Sequence, residues 1–116
     1  TAKQITAKKV IVNGSIECDI LHAQSIIMKL TSKSKIDEIH TKELKVKLKK
    51  IFVTKDKHHL KTNIVNCGTA DVESFQAETL KCNVLIGRAG TDINNLYYKD
   101  EYKLHDQASA NNIHQV

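Results

Sequence analysis

The chain has 116 residues and a mass of 13.0 kDa, a size that suits one domain and excludes two independent cores. Hydrophobic residues make up 41% but aromatics only 4%, with no Trp and no Pro, so any core is built from Ile, Leu and Val. Such side chains suit flat, repeated layers of strand better than a large irregular cavity, and strands in register tolerate the lack of Pro. Lys and Arg number 18 against 13 acidic residues, a balance of +5 that gives a solvated, pairing-resistant surface and a face able to meet anions.

In chain order, the first predicted element is Ile5-Thr6-Ala7-Lys8-Lys9-Val10-Ile11-Val12. It recurs as Leu21-His22-Ala23-Gln24-Ser25-Ile26-Ile27-Met28, then as Ile39-His40-Thr41-Lys42-Glu43-Leu44-Lys45-Val46. The copy expected near Lys57 is degenerate, and Ile51-Phe52-Val53 with Ile64-Val65 fill that turn. The phrase returns as Phe75-Gln76-Ala77-Glu78-Thr79-Leu80-Lys81-Cys82, with Ile93 one period further on. Each copy has a large apolar residue, a small one two later, and apolar residues five and seven later. Starts are 16, 18 and 36 residues apart, the last read as two periods of 18. Cys18, Ile36 and Val72, three residues before their starts, form a further column.

Self-similarity at this period marks a stacked repeat architecture. The alternation of Val10 and Val12, or Leu44 and Val46, with polar neighbours is the period of a strand, not of a helix. The predicted fold is therefore an all-β, single-domain β-solenoid of about six coils of ~18 residues, each coil three short strands joined by corners. Like stacks on like inside, and every coil needs a neighbour to cover it. Val10, Val12, Ile26, Met28, Leu44, Val46, Leu80 and Cys82 are expected to point inward. Cys82 is placed over Val12, Met28 and Val46, and Cys18 over Ile36 and Val72, as small core residues, with Cys67 outside the columns. Residues 1–95 form the repeat domain and 96–116 the terminal strands and a polar tail.

Little in the sequence carries chemistry. His22, His40 and His58 recur about once per coil and form an outward ladder continued by Thr6 and Gln76, read as solvated surface. Asp19, Asp37, Glu38, Asp71 and Glu73 dot one corner, but acid–base work needs a partly dry cleft that a uniform rod does not offer. Phosphate-binding loops, nucleophile elbows and zinc-helix motifs are missing. No catalytic, cofactor or metal residues are expected, and the chain reads as a non-enzyme. Nucleic acid is not an expected partner, because exposed aromatic platforms are lacking. Three cysteines without CxxC spacing suit a reducing compartment, and no apolar run approaches the ~20 residues of a membrane helix. The expected location is cytoplasmic, with membrane association. Lys45, Lys47, Lys49 and Lys50 are the candidate contacts with an anionic surface.

The ends of such a rod expose apolar side chains and unpaired strand edges. Ile5, Val10 and Val12 at one end, and Ile93, Leu96, Tyr98 and Tyr102 at the other, are the expected self-association surfaces of a homopolymer. With the repeat laid out, Ile5-Thr6-Ala7-Lys8-Lys9-Val10-Ile11-Val12-Asn13-Gly14-Ser15-Ile16 and Ile39-His40-Thr41-Lys42-Glu43-Leu44-Lys45-Val46 resemble the coil phrase of the bactofilins, a bacterial polymer-forming cytoskeletal family. The resemblance spans roughly Ile5 to Ile93. It implies a right-handed three-faced β-helix that polymerises without nucleotide into non-polar filaments, a scaffold for cell-shape or wall-synthesis proteins at the membrane. Two rival readings are an extracellular β-solenoid adhesin or glycan-binding module, and a hexapeptide-repeat acyltransferase. The second needs a strict six-residue repeat that this chain lacks.

Overall fold

A computed structural model describes residues 2–48 and 60–116. The described residues form strands only: β1 (Ala2–Gly14), β2 (Glu17–Leu30), β3 (Ser34–His40), β4 (Glu43–Leu48), β5 (Leu60–Asn66), β6 (Thr69–Val72), β7 (Phe75–Gly87), β8 (Asp92–Leu104) and β9 (Ser109–Gln115). Every pairing is parallel, and each strand lies on the strand one coil earlier, so the chain is a β-solenoid of about six turns.

The physical basis is a five-residue inward period. In the coil opened by β5 the inward positions are Leu60 and Thr62, then Val65 and Cys67, then Ala70 and Val72. They give three inward pairs per coil, and the next coil repeats them as Phe75/Ala77, Leu80/Cys82 and Leu85/Gly87. Parallel stacking sets aliphatic on aliphatic. Leu21, Ile39, Val65, Leu80 and Leu96 form one column, all fully buried. Of the residues expected inside, Ile26, Met28, Leu44, Val46, Leu80 and Cys82 are buried, while Val10 and Val12 are half-buried against the core in the terminal coil.

Two buried polar side chains, Ser34 and Thr91, bond to the backbone. Ser34 Oγ accepts from Ile16 N at 2.9 Å, and Thr91 Oγ1 donates to the Val72 carbonyl at 3.1 Å. Among the described residues no buried side-chain N or O lacks a partner.

The period differs from the uniform 18 of the sequence reading. Ala2 pairs with Cys18, Cys18 with Ile36, Ser34 with Leu60, Leu60 with Phe75 and Gln76 with Asp92, so coils run 16, 18, 26, 15 and 16 residues. The extra length lies between β4 and β5, where Ile51-Phe52-Val53, Lys49, Lys50 and His58 fall outside the described residues. A 26-residue coil followed by a 15-residue one shifts the fourth copy of the phrase by one face. Phe75 therefore stacks on Leu60, not in the column of Leu21 and Ile39, and Ile93 stacks on Ala77. Val72 stacks on Val46, not with Cys18 and Ile36. Because every face repeats the same five-residue pattern, a phase error of one face leaves inward residues inward.

Candidate functional site

Three features stand out from the uniform stack. The first is the pair of terminal strands. β1 pairs with β2 along one edge and with no described strand along the other, and β9 likewise pairs only with β8. Ile5, Val10, Val12 and Ile16 are half-buried at the β1 end. At the other end β9 covers β8 as far as Tyr98, leaving Glu101 to Leu104 uncovered, with Tyr102 36% and Ile113 38% exposed. Ile93 and Leu96, expected at the open edge, sit one coil inside, fully buried beneath Ala110 and Ile113. Strand structure continues through Gln115, so residues from Leu96 onward complete β8 and add a further rung. Tyr98 is half-buried and meets Tyr102 edge-on at 4.7 Å.

The second is a ladder of polar and aromatic side chains along one outward face: Thr6, His22, His40, Asn66, Lys81, Tyr97 and His114 are successive rungs. His22 and His40 stack with ring centres 4.6 Å apart and planes 12° from parallel. Glu38 Oε2 and Asn66 Nδ2 each lie 3.4 Å from a ring nitrogen of His40. Tyr97 is held between Lys81 Nζ, 5.8 Å from its centroid, and the His114 ring at 5.2 Å. Gln76 belongs to another column, and His114 was hidden because the phase error moved the ladder off the later coils. Among the described residues no group of three or more His, Cys, Asp or Glu could hold a metal ion.

The third is an open corner cleft of about 720 Å³ lined by Asn66, Cys67, Lys81, Cys82, Asn83, Tyr97 and Lys99, among others. Two backbone irregularities bracket it. In the coil before, Gly68 lies so close to Lys42 that a Cβ would stand 2.7 Å from its carbonyl oxygen. In the coil after, Cys82 pairs with Tyr98 but Val84 with Glu101, so Lys99 and Asp100 face Asn83 alone. Bulges of this kind locally bend a strand and re-aim side chains. At the cleft floor Cys67 and Cys82 share a level: Asn66 pairs with Lys81, Cys67 N donates to Lys81 O at 2.9 Å, and Asn83 N donates to Gly68 O at 2.8 Å. Burial pushes the Cys67 thiol up to about 12, with Cys82 beside it adding to the shift, and pushes Cys82 up to about 11. Both are protonated near neutral pH.

No protein-family model, curated protein or solved structure matches the chain. The site must therefore be read from its own geometry.

The basic surface is placed only in part. Lys45 and Lys47 point outward from β4, Lys47 pairing in register with Lys29 and Lys45 with Ile27. On the same face Arg88 Nε donates to Asp71 Oδ1 at 2.7 Å, and Arg88 also donates to Oδ2 at 3.2 Å. That hydrogen bonding is the largest influence and outweighs burial, the next largest, which acts upward; with the added charges of Arg88, Lys47 and Lys45 it holds the Asp71 carboxyl below its ordinary value. Two outward isoleucines, Ile11 (58% exposed) and Ile27, adjoin these lysines. Among the described residues no helix is long and apolar enough to cross a membrane.

Proposed function

We propose that the chain is a non-catalytic structural protein that assembles end to end, without nucleotide, into filaments that scaffold cell-shape, membrane or wall-associated complexes. The observation that supports this reading is that both terminal strands carry an unpaired edge beside apolar side chains that are only half covered. Joining two such ends continues the backbone ladder and removes apolar surface from water. At ~25 cal/mol per Å², a few hundred Å² is worth several kcal/mol before the cost of association. The resemblance to bactofilins points the same way and adds the implication of non-polar filaments.

The column pattern favours a different polarity. A second copy laid head to tail in the same parallel sense carries Ile5 over Ile113 and Gln4 over Asn112, which prolongs the column of Leu21, Ile39, Val65, Leu80 and Leu96. Asn111 and Asn112 already donate to Asn94 and Asn95 at 3.0 and 3.2 Å, an amide ladder that Gln4 would extend. Mixing an A7C variant with a Q115C variant, positions that this register sets opposite each other, tests polarity. Unlike-end joining gives mixed cross-links between the two variants, and like-end joining gives each variant linked to itself. A protein that stays monomeric at every concentration contradicts the filament reading itself.

The face bearing Lys29, Lys45 and Lys47 beside Ile11 and Ile27 supports a weak, charge-dependent contact with an anionic membrane.

A further inference from the structure

We infer that Cys67 and Cys82 form a two-coordinate site for a soft monovalent metal ion of the Cu(I) or Ag(I) class, entered through the corner cleft. Parallel strands in one sheet lie about 4.8 Å apart, so equivalent side chains on adjacent rungs repeat at about that distance. Cys67 and Cys82 are equivalent residues of adjacent coils, fixed level by the backbone hydrogen bonds on either side of them. A linear sulfur–metal–sulfur unit spans roughly twice a metal–sulfur bond of about 2.3 Å. The solenoid therefore sets two sulfurs at the separation that a linear dithiolate needs, with little movement of either backbone.

Access and charge agree with that assignment. Both cysteines line the cleft, Cys82 almost wholly covered and Cys67 half-buried. Cys18, the third free thiol, is buried in another column beside Ile36. Binding takes one monovalent cation and two neutral thiols to a bis-thiolate complex of charge −1, releases two protons, and moves no electron. Lys81 and Lys99 on the cleft wall supply the opposing charge. High thiol pKa values suppress nucleophilic chemistry but not metal capture, because a coordinating thiol loses its proton outright. Soft sulfur ligands select soft ions, and because the side chains that line the cleft include no His, Asp or Glu, harder divalent ions lack the side-chain ligands they favour.

The test is a titration of the full-length chain with Ag(I), and with Cu(I) under ascorbate in competition with a chromophoric chelator. The ultraviolet thiolate-to-metal band, proton release and the shift in melting temperature are recorded together. The expected result is one ion per chain, two protons released, and a higher melting temperature. C67S and C82S should each lose affinity on the order of a hundredfold or more, since one thiolate cannot complete the unit. C18S should bind as the parent does. Circular dichroism of the unliganded variants checks that each stays folded, and C82A provides a second substitution that leaves no polar group at the buried position. Stoichiometry unchanged in folded C67S and C82S, or equal loss in C18S, overturns the assignment. So does Zn(II) binding as tightly as Ag(I).

Discussion

Gly68 gives the sharpest test of the stacked architecture. Its N–H and that of Thr69 both donate to the Lys42 carbonyl, at 3.0 and 2.9 Å, and this bifurcated contact ties two coils together at a corner. A Cβ at position 68 would stand 2.7 Å from that oxygen, against an ordinary carbon–oxygen contact of roughly 3.3 Å. The obstruction is backbone, so relief requires the coils to separate locally. Overpacking of this kind costs about 1–3 kcal/mol. Weakening two hydrogen bonds, each worth about 0.5–1.5 kcal/mol net, brings the expected loss for Gly68→Ala to about 2–4 kcal/mol.

Gly87 is the internal control. A Cβ there also meets an atom at 2.7 Å, but that atom is the mobile Leu104 Cδ2, which can turn away for about 0.5–1.5 kcal/mol. The entropy that alanine removes from the unfolded chain is common to both variants and cancels in the comparison. Urea unfolding followed by circular dichroism, at two protein concentrations to separate any effect of assembly, should place the Gly68→Ala midpoint about 1 M or more below that of Gly87→Ala. A Gly87→Ala loss equal to or greater than that of Gly68→Ala would refute the corner geometry.

Leu44→Ala, at a fully buried position between Ile26 and Ala70, should cost about 2–5 kcal/mol in the same assay by opening a cavity between layers. The Asp71–Arg88 pair gives a pH signature. The folded carboxyl titrates below its unfolded value of about 3.9, so its stabilisation is present above that pH and is lost as pH falls through the lower folded value. Asp71→Asn should flatten the acid limb of the stability profile, and an unchanged limb in that variant removes the pair from the account. Lys45→Glu with Lys47→Glu should abolish co-sedimentation with anionic vesicles, and the parent's binding should fade by a few hundred millimolar salt. Binding indifferent to salt and lipid charge contradicts the contact.

Much of the fold was legible because its signal is local and repeated. The alternation around Val10, Ile26 and Leu44 gives strands, and recurrence of the phrase gives stacking. Register was legible only while coils kept a near-constant length. The 26-residue coil broke that, and five-residue faces that resemble one another hid the error: Leu80 and Cys82 are buried as expected, but on a different face. The same slip concealed the Cys67–Cys82 pair, which lies 15 positions apart, one short coil, and so looked like one column residue and one stray. The corner cleft could not be read at all, since it depends on a bulge at Lys99–Asp100 and a close approach at Gly68. Neither has a distinctive residue pattern.

The central claim is assembly through the terminal strands, and negative-stain microscopy of the purified chain, paired with sedimentation, tests it most directly. The parent should form filaments with no nucleotide present. Val12→Asp and Ile113→Asp, each placing a charge at one open edge, should keep the strand signal in circular dichroism but sediment as small species with no filaments. A parent that remains monomeric at high concentration across ordinary salt and pH, or charged-edge variants that polymerise as well as the parent, would contradict the account.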